Sequence, residues 1–147
     1  EPRMLELEIT ESAMMHDPMR ALRIIRELHA LGVLISIDDY GTGFSSLSYL
    51  RDLPIHALKL DKSFVVDLPN RADDRVIVNS TADMARALNL KSVAEGVETP
   101  WHASFLASAG YDYAQGYCYT QALPADHLWE WLMRYESEPQ PARMFQS

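Results

Sequence analysis

A group of polar residues follows short apolar runs at several places in this sequence, and their side chains are of the kinds that bind metal ions and phosphates. The group contains acidic residues, one lysine and one amide, namely Glu8, Asp38, Asp39, Lys59, Asp61, Glu95 and Gln115. Carboxylate and amide oxygens suit Mg²⁺ or Mn²⁺. Together with a lysine they suit phosphoryl chemistry, because divalent ions clamp a phosphate while an ammonium offsets the developing charge.

Several of these residues also have a purely structural interpretation. Asp38 and Asp39 could both cap the turn formed by the glycine-containing segment 40–43, and Glu8 could be a surface residue or a carboxylate at a helix start. Two adjacent ionised carboxylates repel each other, however, unless a cation lies between or beside them. Lys59 lies between two leucines and faces away from both. A lysine inside a sheet is costly unless it meets carboxylates, so the combination favours a metal site.

Composition argues against other kinds of site. Cys118 is the only cysteine and the five histidines lack ligand spacing, so zinc is not indicated. The net charge of −8, from 21 acidic and 13 basic residues, argues against binding duplex nucleic acid by counterion release. No apolar stretch is long enough to be a membrane helix. A single cysteine fits a reducing, cytoplasmic location, although the parent protein could be tethered to a membrane.

The elements that must position these residues alternate between strands and helices, which is typical of βα units around a parallel sheet. The sequence predicts strands at residues 5–10, 33–37, 57–60, 92–95 and 113–115. It predicts helices that begin at Asp17, near Ser46, at Asp73, at Thr99 and near Pro124. The buried stripe of the first predicted helix is formed by Met19, Leu22, Ile25 and Leu28.

Five βα units are compatible with a complete open, doubly wound sheet or with part of a closed barrel, which has eight. In an open sheet, ligands bind at the switch point, so only a few strand ends need functional groups. In a barrel, all strand ends point into one mouth. Polar residues at all five strand ends therefore favour a barrel or a piece of one. The last dozen residues, 136–147, are predicted to be a polar tail.

Five ordered segments resemble the successive motifs of the EAL-domain family, whose members are bacterial phosphodiesterases that linearise cyclic di-GMP to pGpG. The segments are 5–12 (LELEITES), 38–46 (DDYGTGFSS), 58–64 (LKLDKSF), 93–99 (VAEGVET) and 114–117 (AQGY). The resemblance extends over about residues 3 to 134. It implies a modified (βα)₈ TIM-like barrel, of which residues 1–135 form about the last five βα units.

The resemblance also implies roles for individual residues. It implies that Glu8, Asp38 and Asp39 are metal ligands of a two-metal Mg²⁺ or Mn²⁺ site. It implies catalytic roles for Lys59, which positions the attacking water, for Glu95 in the network of metal and water, and for Gln115, which holds a water of the metal site. Asp61 lies on the substrate-facing edge. The supporting residues are Glu11, which braces the loop after Asp39, together with Gly41, Thr42, Gly43 and Glu98.

The sequence departs from the family pattern at its start. The Glu of the Glu-Ala-Leu motif and an Asn from another early strand, both metal ligands in the family, have no candidate here. Roughly the first three of the eight barrel units are expected to be absent. A barrel without them exposes two sheet edges, so this chain alone is expected to be weak or inactive. Tyr40 stands where phenylalanine is more usual, which we expect to be tolerated.

Three classes of function are compatible with these features. The first is a cyclic di-GMP phosphodiesterase, which is favoured because all the motif residues that can be compared are intact. The second is a catalytically inactive EAL domain that acts as a cyclic di-GMP receptor, and the third is a dimerisation or regulatory module. The resemblance further implies a homodimer that forms through the loop after Asp39. An upstream sensory or GGDEF domain is expected in the parent protein.

Overall fold

The computed structural model of the protein describes residues 1–43 and 47–137. The strands are β1 (Glu6–Thr10), β2 (Leu34–Tyr40), β3 (Ala57–Leu60), β4 (Lys91–Ala94) and β5 (Tyr113–Ala114). The helices are α1 (Glu11–His16), α2 (Pro18–Ala30), α3 (Leu47–Asp52), α4 (Ala72–Ala87), α5 (Pro100–Ala109) and α6 (Ala125–Ser137). Two short 3₁₀ helices lie at Pro2–Met4 and Lys62–Phe64. Residues 44–46 of the second motif and residues 138–147 of the predicted tail lie outside the described residues.

The five strands form one parallel sheet in the order β1-β2-β3-β4-β5. Each strand pairs with the next one along the chain, so the strand order does not reverse within the sheet. A doubly wound sheet requires such a reversal, which creates its switch point. Sequential parallel pairing is instead the pattern of a βα barrel, in which all strand ends open on one side. The prediction of barrel-type βα units is therefore confirmed.

Two helix starts, those of α2 and α5, lie where the capping residues predict them, whereas α4 begins at Ala72, one residue before the predicted Asp73, without a side-chain cap. Asp17 accepts the backbone N–H of Arg20 at 3.1 Å and precedes the proline that begins α2. Thr99 accepts the N–H of His102 at 3.2 Å at the start of α5. Gly110 ends α5 with a φ of 86°, the left-handed conformation that glycine adopts without a steric penalty.

Three local features differ from the predictions. Helix α1 is only six residues long, too short to give a periodic pattern, and Thr10 caps it by accepting the N–H of Ala13. Met14 of α1 is buried in the same core cluster as Ile25 and Ile37. Met19 in the first turn of α2 is 71% exposed, so its assignment to the buried stripe is wrong, whereas Ile25 is buried. Strand β2 also continues beyond Ile37 and ends at Tyr40.

The hydrophobic core lies between the sheet and its helices in two adjoining clusters. One is centred on Ile25, Ile37 and Leu58, and the other includes Leu60 and Leu106. Alternate strand residues face this core, which leaves the polar residues of the strand ends on the opposite face of the sheet. Among the described residues, no helix is long and apolar enough to cross a membrane.

Candidate active site

Lys59 lies at the centre of the polar face of the sheet. Its neighbours Leu58 and Leu60 are fully buried against the helices, so the lysine points to the other side, as its alternation with them predicts. The ammonium makes three ion pairs, at 2.6 Å with Glu8 Oε1, at 3.0 Å with Asp38 Oδ1 and at 2.7 Å with Glu95 Oε1. Carboxylates from the ends of three other strands thus converge on one buried cation.

The charge of Lys59 is stabilised in this environment. Burial alone lowers the pKa of Lys59, but the hydrogen bonds to Glu8, Glu95 and Asp38 outweigh burial and hold the pKa above its usual value. The side chain is therefore a permanent ammonium at neutral pH. It can donate hydrogen bonds and offset negative charge, but it cannot ligate a metal or act as a base.

A β-bulge explains how two consecutive aspartates reach the same site. Ile37 of β2 pairs with Leu58 of β3, and Tyr40 pairs with Leu60. Between these pairs β2 has two residues, Asp38 and Asp39, where β3 has one, so β2 contains one extra residue. Asp39 adopts a φ of 53°, a left-handed conformation that aspartate tolerates better than most residues. In a regular strand, adjacent side chains point to opposite faces. The bulge instead turns both carboxylates towards the same face.

Three carboxylates are close enough to hold one metal ion. Oxygens of Asp38, Asp39 and Glu95 all lie within 4.8 Å of one another. Apart from its ion pair with Lys59, the buried Asp38 Oδ1 has no hydrogen-bond partner. Clustered carboxylate oxygens that repel one another fit a hard divalent cation. The residues present therefore suit Mg²⁺ or Mn²⁺.

Asp61 extends this acidic group beyond β3. It accepts the backbone N–H of Ser63 at 2.9 Å and so caps the 3₁₀ helix Lys62–Phe64. Burial would raise the pKa of Asp61, but the hydrogen bonds from Ser63 hold it below its usual value. The pKa of Asp39 is raised, first by burial and then by the charges of Asp38 and Asp61. The site thus concentrates negative charge around Asp39, which a bound cation would relieve.

The loop that follows Asp39 is held by Glu11. This carboxylate is buried in α1, and its Oε2 accepts the N–H groups of Gly41 at 3.0 Å and Gly43 at 3.1 Å. The hydroxyl of Thr42 donates to the carbonyl of Asp39 at 2.8 Å. These contacts agree with the supporting role that the resemblance implies for Glu11 and for the three loop residues.

The remaining two predicted residues lie farther out. Gln115 is exposed; its backbone continues the sheet by donating to the carbonyl of Ala94 at 2.8 Å. Glu98 is also exposed, and its N–H donates to Nδ1 of His102 at 3.4 Å. Within the described part of the chain, neither side chain makes a hydrogen bond to the Lys59 cluster. Their assignment as site residues therefore stays a prediction.

Sequence reasoning missed the contacts that lock the strand-end loops to one another. A Cβ on Gly116 would collide with the backbone of Val97, so the loops after β4 and β5 touch through that glycine. A Cβ on Gly41 would lie 2.7 Å from Phe64 Cε2, which joins the loop after β2 to the 3₁₀ helix after β3. The only signal in the sequence is the presence of these glycines and of Phe64 inside the motifs.

Comparison with known proteins agrees with this geometry. The family model described as EAL domain matches residues 1–122. Over 137 residues the chain is 45% identical to the cyclic di-GMP phosphodiesterase NbdA of Pseudomonas aeruginosa. Over 128 residues it is 47% identical to the bifunctional diguanylate cyclase/cyclic di-GMP phosphodiesterase MucR of the same organism. These matches cover 93% and 87% of this chain but only 18% and 19% of the relatives.

Two solved structures show the same fold. The MucR phosphodiesterase in complex with c-di-GMP superposes with a TM-score of 0.85 at 47% identity, covering 87% of this chain and 52% of that one. BlrP1 of Klebsiella pneumoniae, in a complex with manganese and cyclic di-GMP, superposes with a TM-score of 0.77 at 29% identity. That match covers 82% of this chain and 31% of the BlrP1 chain.

Proposed function

Since this chain belongs to the EAL domain family, we propose that it forms part of a metal-dependent phosphodiesterase that hydrolyses cyclic di-GMP to linear pGpG. The observation that carries this proposal is the meeting of Lys59 with three carboxylates from elsewhere in the sheet, Glu8 of β1, Asp38 of β2 and Glu95 directly after β4. The names of the relatives NbdA and MucR and the MucR complex with c-di-GMP support the choice of substrate.

The metal would be Mg²⁺ or Mn²⁺, held by Glu8, Asp38 and Asp39. Support for Asp38 and Asp39 comes from their cluster with Glu95, and support for a divalent ion comes from the manganese and calcium complexes of BlrP1. Glu8 is included on the family resemblance, and its Oε1 pairs with Lys59 in this structure. When bound, such ions supply Lewis acidity at the phosphodiester and stabilise the leaving oxygen. They also allow an acidic protein to accept an anionic substrate. A second ion of a two-metal site would need ligands from elsewhere in the domain.

The residues of this chain then have distinct tasks in the hydrolysis. The Lys59 ammonium orients the attacking water by hydrogen bonding and offsets the charge that develops on the phosphate. Glu95 accepts from Lys59 and keeps that ammonium aimed at the site. Its carboxylate also lies within reach of an ion held by Asp38 and Asp39. As the water oxygen bonds to phosphorus, the P–O3′ bond breaks. The water gives one proton to the solvent and the leaving O3′ takes one proton from the solvent, so that one water molecule is added in total. The product is pGpG with a 5′-phosphate and a free 3′-hydroxyl.

The other predicted residues complete the proposed site. Asp61 lies on the edge that would face the substrate, and Gln115 would hold a water near the metals. Glu98 would support the site from the loop after β4, where its N–H donates to Nδ1 of His102 in α5. Glu11 and the loop residues that it binds keep Asp39 in place, which we support by the two hydrogen bonds to the N–H groups of that loop.

The wider organisation is also a proposal. We place residues 1–135 in the C-terminal part of an EAL domain and residues 136–147 in a polar tail. The match to only 52% of the MucR phosphodiesterase chain supports this placement. A homodimer would form through the loop after Asp39. The bifunctional name of MucR supports a GGDEF or sensory domain upstream, in a cytoplasmic protein.

The test compares this chain with an extended domain, defined as this chain preceded by the N-terminal βα units that its relatives possess. Both are incubated with cyclic di-GMP and Mn²⁺, and the nucleotides are separated by chromatography. We expect pGpG from the extended domain and little or none from the chain alone. An extended domain that binds cyclic di-GMP without hydrolysing it would replace the enzyme with the receptor. An extended domain that neither binds nor hydrolyses cyclic di-GMP would favour the third class of function, a dimerisation or regulatory module.

A further inference from the structure

The ring of Phe64 packs directly on the backbone of Gly41, in the loop that follows the two aspartates. A Cβ on Gly41 would lie 2.7 Å from Phe64 Cε2 and 3.2 Å from Cζ, closer than a side chain tolerates. Gly41 also has a φ of 97°, which favours glycine on conformational grounds as well. The ring therefore occupies the space that any larger residue at this position would need.

The loop needs support at this point because it follows a strained segment. Asp39 has a φ of 53° within the bulge of β2, a conformation that persists only when its surroundings hold it. Beyond the bulge, the sheet hydrogen bond from Asp61 N to Tyr40 O is long, at 3.4 Å. Glu11 binds the loop on one side. The contact with Phe64 is a second, apolar restraint.

Phe64 is itself fixed by β3 and the core. Its N–H donates to the carbonyl of Asp61 at 3.2 Å, and Asp61 caps the 3₁₀ helix through Ser63. The side chain packs against the core cluster that contains Leu60 and Val97. The position of the ring thus follows from the end of β3, one residue beyond Lys59, and not from the loop that it supports.

The same 3₁₀ helix also touches the loop after β4. Gly96, directly after Glu95, has a φ of 69°, and a Cβ there would lie 2.5 Å from Cβ of Lys62. Residues Lys62–Phe64 therefore lie between the loop that follows Asp39 and the loop that carries Glu95. A shift of this helix moves both loops relative to each other.

We propose that Phe64 is a positioning residue of the metal site, which keeps the carboxylates of Asp39 and Glu95 within reach of one ion by holding Gly41 in place. This inference rests on the proposed function, because it assumes that the carboxylates bind a divalent cation. Phe64 acts through the backbone of the loop, at its contact with Gly41. Residues that orient metal ligands typically change metal affinity or activity 10- to 100-fold when they are substituted.

The experiment measures Mn²⁺ binding by the extended domain without nucleotide, using electron paramagnetic resonance to count free Mn²⁺. Phe64→Ala is expected to weaken Mn²⁺ binding about tenfold, and Phe64→Leu less, because leucine retains part of the packing. The matched control is Phe105→Ala in α5. Phe105 packs against the same core cluster and stacks on Trp101 at 5.4 Å. We expect the Phe105→Ala variant to have a lower unfolding temperature than wild type and an unchanged Mn²⁺ affinity.

The outcomes separate this inference from the proposed function. Equal Mn²⁺ affinities for wild type, Phe64→Leu and Phe105→Ala would show that Phe64 only packs, and would overturn the inference while leaving the phosphodiesterase intact. A wild-type extended domain that neither binds Mn²⁺ nor hydrolyses cyclic di-GMP would overturn the proposed function itself. If Phe64→Ala does not fold, the milder Phe64→Leu decides, with a rise in the Mn²⁺ dissociation constant beyond that of Phe105→Ala as the supporting result.

Discussion

The ammonium of Lys59 lies 2.7 Å from Glu95 Oε1, a diagonal contact across the β3–β4 pair in which Lys59 is itself aligned with Val93. The same ammonium reaches Glu8 and Asp38 from the two preceding strands. One cation therefore balances carboxylates from β1, β2 and the end of β4. The three ion pairs of Lys59 therefore connect β3 with β1, with β2 and with the end of β4.

The first prediction concerns this cation. Lys59→Met keeps the length of the side chain but removes its charge, which leaves three carboxylates close together. We expect kcat of the extended domain to fall about 100-fold. Stability without metal should fall by about 3 kcal/mol, because a buried charge cluster loses its counter-ion. Mn²⁺ affinity should hold or increase, since the ammonium no longer competes. Steady-state kinetics and urea unfolding measure these effects, and an unchanged kcat would remove Lys59 from the mechanism.

Asp39→Asn separates the charge of Asp39 from its backbone conformation. Asparagine tolerates a φ near 53° as well as aspartate does, so the bulge should persist while one carboxylate is lost. We expect Mn²⁺ affinity and kcat to fall at least about 100-fold, beyond the effect of losing a supporting contact. The exposed Asp73→Asn in α4 is the control for net charge. If Asp39→Asn and Asp73→Asn had the same Mn²⁺ affinity and the same kcat, Asp39 would be excluded as a metal ligand.

We expect Glu11 to affect the conformation of the loop after Asp39 more than the hydrolysis step itself. Glu11→Ala removes the acceptor of two backbone N–H groups, whereas Glu11→Gln keeps one carbonyl oxygen in place. We expect the Mn²⁺ concentration that gives half the maximal rate to rise about tenfold for Glu11→Ala and less for Glu11→Gln. Rates measured across a Mn²⁺ titration test whether Glu11→Ala has the larger effect of the two variants. Full activity of Glu11→Ala at low Mn²⁺ would show that the loop holds its place without the carboxylate.

Asp112 gives a pH-dependent prediction far from the site. Burial alone would raise the pKa of Asp112, but hydrogen bonds from Lys91 and Ser92 outweigh it and hold the pKa below its usual value. A lowered pKa in the folded state stabilises the fold above about pH 4, and this stabilisation is lost as the pH falls through the folded-state pKa. Asp112→Asn should cost about 1–2 kcal/mol at pH 7.

The difference between Asp112→Asn and wild type should therefore shrink between about pH 5 and pH 3. Urea unfolding of both proteins at several pH values measures it. A difference that stays constant over this range would show that the charge of Asp112 contributes nothing. Mn²⁺ binding by the extended domain should not change, since Asp112 lies at the opposite ends of the strands from Lys59.

Tyr40→Phe tests the residue that departs from the family pattern. The Tyr40 hydroxyl donates to Met84 Sδ at 3.6 Å, and a thioether is only a weak acceptor. Removing the hydroxyl should change stability by less than about 1 kcal/mol and kcat by less than about twofold. Thermal unfolding and initial rates check this, and a large loss of kcat would show that the hydroxyl has a role in the site.

Much of the fold could be predicted because its signals are local. The caps at Asp17 and Thr99 and the alternation around Lys59 depend on residues close in sequence. The bulge at Asp38–Asp39 could not be predicted, because an extra residue in one strand appears only when the partner strand is in place. Helix α1 likewise could not be predicted, because its six residues are too few to give a periodic pattern.

Some residues of the candidate site could be predicted from sequence patterns, and the roles of others only from the family resemblance. Strand-end positions and the pattern of Lys59 placed the cluster, whereas the bracing role of Glu11 came from family resemblance and agrees with its two hydrogen bonds. The roles of all these site residues, including Gln115 and Glu98, stay predictions. The contact of Phe64 with Gly41 joins residues 23 positions apart in sequence, and no periodicity connects them.

The most direct test is the rate of pGpG formation by the extended domain as a function of Mn²⁺ concentration, measured beside Asp38→Ala. We expect the wild-type rate to rise and saturate with Mn²⁺ and to vanish when the metal is chelated. Asp38→Ala should show no turnover at any Mn²⁺ concentration, although it still binds the nucleotide weakly. Hydrolysis by Asp38→Ala at the wild-type rate, or wild-type hydrolysis that persists in chelator, would contradict a metal-dependent site built on the strand-end carboxylates.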